Sequence, residues 1–301
     1  MTVKLRRFDQ SDNERVCEVF ARAIGDLLMR SGEAAPVDPN DSNDWHPFWE
    51  KRRQVFKHLS ATGDGWLAEL DEQIVGYARA TVRGKFRQLS EFFVLPQAQG
   101  KGVGRGLLEQ VFAADAKYRR LVVATTDGSA IARYTRAGVY VQSVIFDFVK
   151  SPMRQRVDTD LEFERLTPNN QTLRSLNTVD TQVLGHTREI DHRWLMNDRC
   201  GFLFRRNSKT LGYGYIGEQC GPFALLSSQD FPAVLGFTED LAAKSGFDEL
   251  RLMVPMVNRV VLDYVTIRRF DIDYKFPMLC MTDTSRVQLD RYIMALPGFF
   301  I

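Results

Sequence analysis

Thirteen consecutive residues, Gly65 to Tyr77, align without a gap over Gly201 to Tyr213, 136 positions later, with Gly65, Leu67, Gly76 and Tyr77 falling on Gly201, Leu203, Gly212 and Tyr213. A stretch that recurs in this way is one structural unit used twice, so the chain must be built from two similar parts. The similarity continues at an offset of 130, with Leu121 to Ala124 over Arg251 to Val254 and Tyr134 over Tyr264. Leu161 to Leu166, followed by Thr167, Pro168 and Asn169, repeats the character of the first strand and helix cap. A length of 301 residues accommodates two ordinary domains, and the polar stretch Lys150 to Asp160 is the natural boundary. We expect domains at 1–152 and 153–301.

The first part alternates strand and helix signals. Val3, Leu5 and Phe8 have a strand period, and Asp9 to Asp12 supply cap residues for a helix carrying Val16, Val19, Phe20, Ala23, Ile24, Leu27 and Leu28. Residues 31–43 are rich in Gly, Pro, Asp and Asn and predict a loop. Trp45 to Leu59 predicts an amphipathic helix with Trp45, Phe48, Trp49 and Phe56 on its core face. Gly65 to Leu70 and Gln73 to Val82 read as a hairpin around Asp71 and Glu72, and Phe86 to Leu95 as the next strand. Leu121 to Ala124 is a short buried strand, Ser129 to Ala137 a helix stopped by Gly138, and Val139 to Val149 a further strand.

Between the strand ending near Pro96 and the helical pattern of Leu107, Leu108, Val111 and Phe112 lie four glycines at alternate positions: Gly100, Gly102, Gly104 and Gly106. Without Cβ atoms, such a turn lets successive N–H groups converge on one anion at a helix start, where the dipole adds positive charge. A dinucleotide fingerprint fails on spacing, because its last glycine would fall on Arg105 or Leu107. A Walker loop fails because Lys101 is followed by Gly102 rather than Ser or Thr. What remains, Val94-x-Pro96 followed by Gln99-x-x-Gly102-x-Gly104, resembles the GNAT acetyltransferase superfamily.

That resemblance implies an α/β (α+β) fold of two tandem GNAT-like domains, each a mixed, mostly antiparallel twisted sheet flanked by helices. It implies acetyl-CoA as co-substrate. Phe93, Val94 and Leu95 would hold the pantetheine arm as an added strand, with the Val94 N–H facing the acetyl oxygen. Gln99, Lys101, Gly102, Val103, Gly104, Arg105 and Gly106 would hold the phosphates. Glu91 stands where the family often has an acidic base. Tyr134 matches A-x-x-x-Y-x-x-x-G through Ala130 and Gly138, the place of the acid that protonates the departing thiolate. The C-terminal carboxylate after Phe300 is an alternative base, and a solvated Glu91 and a core Tyr134 are the plainer readings. The acceptor would be an amine of a small molecule or peptide. A non-catalytic acyl-CoA sensor is the competing function. In the second half the glycine turn is replaced by Ser228-Gln229-Asp230-Phe231-Pro232-Ala233, which lacks glycine and carries a carboxylate, so that half is expected to be a degenerate domain.

Composition removes other classes. A net charge of +2 offers no general field for nucleic acid or a membrane surface. Cys17, Cys200, Cys220 and Cys280 form no C-x-x-C pair and the first ten residues hold no apolar leader, which predicts a cytoplasmic protein. His46, His58, His186 and His192 lack ligand spacing, so no metal is expected.

Overall fold

The computed structural model describes residues 3–30, 32, 45–112, 117–217, 219–284 and 287–295. Most of the loop anticipated at 31–43, and the terminal segment 296–301, lie outside them. The chain opens with strand β1 (Lys4–Arg7). The Asp9 carboxylate then accepts from the Ser11 N–H and that of Asp12 from the Asp9 N–H, both at 2.9 Å. These bonds satisfy donors that have no earlier carbonyl at the entrance to α1 (Asn13–Arg30). Helix α2 (His46–Thr62) has proline in its first turn, where the missing N–H costs nothing. Strands β2 (Gly63–Leu70), β3 (Gln73–Arg83) and β4 (Phe86–Val94) follow, then a single 3-10 turn, Pro96–Ala98, and α3 (Val103–Phe112). Strand β5 (Arg119–Thr125), helix α4 (Gly128–Arg136) and strand β6 (Tyr140–Lys150) complete the first half in the predicted order.

The second half repeats that order with β7 (Glu162–Arg165), α5 (Asn170–Val183), α6 (Glu189–Asp198), β8 (Cys200–Arg206), β9 (Lys209–Ile216) and β10 (Phe223–Leu225). It continues through α7 (Phe231–Lys244), β11 (Leu250–Pro255), α8 (Arg259–Ile267), β12 (Asp271–Thr282) and the short β13 (Tyr292–Ile293). The repeated thirteen residues form the same hairpin twice. Asp71 and Glu72 turn it at φ of 50° and 65°, and Asn207 and Ser208 at 49° and 63°. Both hairpins slip register at matching positions, between Ala68 and Glu69 and between Phe204 and Arg205. Two positive-φ residues make the tight turn whose twist suits antiparallel strands. The copied sequence has copied its irregularities as well.

By compactness the chain divides into one unit of Met1–Val82 with Arg87–Arg120 and another of Arg83–Phe86 with Leu121–Ile301. The first unit carries strands in the order β1-β2-β3-β4. Its core joins Val16, Cys17 and Phe20 of α1 to Phe56 of α2 and to Leu67, Ile74 and Tyr77 of the sheet. The second unit has a five-stranded sheet, β13-β10-β9-β8-β7, and a run β5-β12-β6-β11. Its core includes Phe204, Phe223, Phe231, Leu252 and Val261.

That run explains why the compact boundary falls at 120/121 although the repeat turns over near 152. β5 pairs with β12 over 121–125 and 278–282, and β11 pairs with β6 over 250–255 and 145–150. Each half thus gives its last long strand to the other, and β12 and β6 lie side by side. The alternation of β6 gives no sign of this, because a strand buries the same face beside either partner.

Helix caps correct one detail of the repeat. Asp127 and Asn258 cap α4 and α8 by accepting from the N–H three residues on. The positive-φ residues that stop these helices are Gly138 and Arg269. Both pairs are 131 positions apart, so Tyr134 lies over Val265 and not over Tyr264.

Candidate active site

The first half of the site is made by backbone. Gly100 and Gly102 have φ of +75° and +82°, and a Cβ at either would meet nothing within 4 Å. Glycine is required there by conformation and not by crowding. Gly104 and Gly106 instead lie inside α3, and the Gly106 N–H already donates to the Gly102 carbonyl at 3.0 Å. The turn therefore delivers its free donors from the residues just before Gly106, at the positive end of a ten-residue helix. An anionic phosphate fits this open cradle. Lys101 and Arg105 flank it and are exposed. Arg105 makes an exposed pair with Glu109 at 2.7 Å, which is easily given up.

Strand, turn and helix are brought together at Gly76. A Cβ there would lie 3.0 Å from the Phe93 carbonyl, 3.2 Å from the Val94 side chain and 3.3 Å from that of Val103. Two of the backbone groups expected to serve a carrier are already engaged: Leu95 N–H donates to Val75 O at 2.9 Å, and Val94 O accepts from Gln99 Nε2 at 3.1 Å. Gln99 thus latches the turn to the end of β4. Its side chain is not turned to the cradle in this structure.

Glu91 is not the solvated strand carboxylate that the plainer reading describes. It is 6% exposed, and Arg79, fully buried on β3, donates to its Oε2 from Nε at 2.8 Å and also from Nη2. Arg79 Nη1 further donates to Asn13 Oδ1 and Phe56 O, both at 3.2 Å, and the guanidinium lies 4.9 Å from the Phe8 ring and 5.2 Å from that of Phe56. One oxygen of Glu91 is thereby occupied, and any transferred proton would have to be taken at Oε1. Nearby, Tyr77 is fully buried and its pKa is pushed well up by burial and then by the Glu91 charge. Burial also raises the Cys17 thiol to about 12.

Tyr134 lies on α4, in the other compact unit, and is 5% exposed. Burial raises its phenol above the ordinary range, with the Asp127 charge adding to it. In the second half, Asp230 does not stand open in an empty mouth: it meets Arg206 at 2.8 Å, which also holds Asp160 at 2.7 Å. The start of α7 carries a proline in its first turn, which removes one of the donors an anion would need.

Two groups escape a reading of motifs. Arg79 sits in the apolar run Ile74 to Val82, and Arg52 lies on the aromatic stripe of Phe48, Trp49 and Phe56. A charged residue at a core position of a strand or helix needs a partner, and that conflict was the available signal. The second half holds a larger network of this kind. Asp180 Oδ2 accepts from Arg188 Nε at 3.0 Å and meets His192 Nε2 at 2.8 Å, Oδ1 accepts from the Tyr213 hydroxyl, and Tyr215 reaches His192 Nδ1 at 2.8 Å. All five are buried.

No helix among the described residues is long and apolar enough to cross a membrane, and among them no cluster of three His, Cys, Asp or Glu could hold a metal. No curated protein matches the sequence. Solved structures share the fold across nearly the whole chain. A candidate acetyltransferase from Pyrococcus horikoshii aligns at a TM-score of 0.68 and 15% identity over 96% of this chain and 92% of its own. A GCN5-related N-acetyltransferase from Sphaerobacter thermophilus aligns at 0.58 and 13% over 93% and 95%. A tandem GNAT protein from the clavulanic acid biosynthesis pathway aligns at 0.58 and 10% over 93% and 98%. The architecture is therefore that of the GNAT acyltransferases in a tandem arrangement. Residues 61–140 match the family model of the acetyltransferase (GNAT) domain.

Proposed function

We propose that the protein is an acetyl-CoA-dependent N-acetyltransferase that moves an acetyl group to a primary amine of a small molecule or peptide, by direct attack in a ternary complex. The observation that carries this reading is the pair of positive-φ glycines opening onto the first turn of α3 immediately after β4. In this proposal Gly102, Val103, Gly104 and Arg105 hold the pyrophosphate through backbone donors, with Lys101 and Arg105 adding charge. The Val94 N–H faces the developing oxyanion. The amine nitrogen bonds to the thioester carbonyl carbon and the C–S bond breaks. The ammonium proton leaves to Oε1 of Glu91, and the thiolate takes a proton from Tyr134. The division into a catalytic domain at 1–152 and a degenerate domain at 153–301 belongs to the same proposal, supported by the missing glycines before α7.

A second reading, an acyl-CoA sensor without turnover, draws on the Arg79 grip on Glu91 and the raised phenol of Tyr134, neither of which favours proton transfer. Calorimetry with CoA and thiol release from acetyl-CoA across a panel of amines separate the two. Binding with amine-stimulated release supports the enzyme; binding without release from any amine supports the sensor. No binding rejects both.

A further inference from the structure

The ring cluster of the first unit holds two polar groups that its own residues leave unsatisfied. The Tyr77 hydroxyl is fully buried with no hydrogen-bond partner, and Arg52 Nε is buried in the same condition. The Arg52 guanidinium lies 4.9 Å from the Phe20 ring and 5.1 Å from that of Phe48, and among the described residues it makes no ion pair. Phe20 meets Phe93 edge-on at 4.6 Å, and Phe93 meets Tyr77 at 5.8 Å, so both groups belong to one continuous cluster.

Charge points to what is missing. Two guanidinium groups, Arg52 and Arg79, share the cluster with one carboxylate, Glu91, and that carboxylate is bonded to Arg79. A half-buried cation with its Nε donor buried and idle, and a buried phenol without a partner, are both costly unless a bound group completes them. The repeat supplies an internal control. Tyr213 occupies the position of Tyr77 in the second copy, and there the chain provides its own partners: the Tyr213 hydroxyl donates to Asp180 and accepts from Arg188. The same tyrosine is satisfied from within in one copy and left open in the other.

We infer that Arg52 and Tyr77 form a subsite for a carboxylate carried by the acceptor, so that the acceptor class is an amino acid or another amine bearing a carboxylate. This rests on the acetyltransferase reading and deepens it. Guanidinium and phenol together suit a carboxylate, which accepts from both and neutralises the surplus positive charge. Glu91 stands in the same cluster for the amine, tied through Arg79 to the Phe56 ring.

The test compares matched amines, β-alanine against propylamine and γ-aminobutyrate against butylamine, in two readouts on the full-length protein. Calorimetry of CoA-saturated protein with N-acetyl-β-alanine and N-propylacetamide measures binding without requiring turnover. Thiol release from acetyl-CoA gives kcat/KM for each amine. We expect the carboxylated member to bind and react at least tenfold better. Arg52→Met and Tyr77→Phe should each reduce that ratio severalfold while CoA affinity stays unchanged. Tyr77→Phe should keep a Tm at or above wild type, since the hydroxyl it removes has no partner. Equal binding of the paired probes, or an unchanged ratio in both variants, overturns the subsite. Carboxylate-selective binding without turnover from any amine would leave the subsite standing and reject the catalytic reading instead.

Discussion

Glu91→Gln is the obvious catalytic test, and the structure says it will also be a stability test. The substitution removes the counter-charge of Arg79, which is fully buried and receives its only described carboxylate contact from Glu91. Removing one partner of a buried ion pair costs about 3–5 kcal/mol. At roughly 2–4 °C per kcal/mol for a body of 150–250 residues, this lowers Tm by about 10 °C. Replacing both, as Arg79→Met with Glu91→Leu, leaves no unpaired charge. The remaining loss is the donors to Asn13 Oδ1 and Phe56 O, at about 1 kcal/mol each. The double variant should therefore be more stable than Glu91→Gln, with a coupling of at least ~2 kcal/mol in a double-mutant cycle. The assay is urea unfolding followed by tryptophan fluorescence, with activity measured well below the Tm of each variant. A Glu91→Gln loss under ~1 kcal/mol would refute the picture of a dry, paired carboxylate.

Gly102→Ala places a side chain at a φ of +82° with ample space, so the cost is conformational, about 1 kcal/mol. A five- to tenfold weaker CoA affinity by calorimetry is expected, and unchanged affinity would argue against the cradle. Of the four cysteines, Cys17, Cys220 and Cys280 are buried with thiols raised to about 12, 11 and 12, whereas Cys200 is exposed. A colorimetric thiol reagent should therefore find one fast thiol in native protein and four in denaturant. Burial alone would raise the Asp180 carboxyl, but Arg188, His192 and Tyr213 hold it below the ordinary range, and Arg6 holds Asp12 down. Both carboxyls bind protons more readily when unfolded, so their contribution is full above about pH 4 and is lost as pH falls through the depressed folded values. The urea midpoint should be lower at pH 3 than at pH 6; equal midpoints would contradict this.

Local features were legible in the sequence because local chemistry determines them. The cap at Asp9 to Asp12, the hairpin turn at Asp71 and Glu72 and the stop at Gly138 stand where their residue types require. The repeat was legible for the same reason, down to its matched register slip. Which two of the four glycines make the turn was not legible, since alternate spacing treats them alike and only the start of α3 separates Gly102 from Gly104. Arg79 and Arg52 escaped because motif matching weighs residues by family position, whereas their significance comes from burial among rings. The Asp180 network escaped because its members come from α5, α6 and β9 and meet only in three dimensions. The strand exchange lies furthest from the sequence, since it concerns which neighbour a strand chooses and both choices satisfy the same alternation.

That exchange gives the chain a timetable. During synthesis, β5 and β6 emerge more than a hundred residues before the strand that will lie between them, and β6 waits for both of its partners. A nascent first half must therefore keep two open edges from pairing with each other or with a neighbouring ribosome's product until position 282 has been translated. Cutting the gene at the repeat boundary should yield two aggregating pieces, and co-expressing them should restore what neither achieves alone.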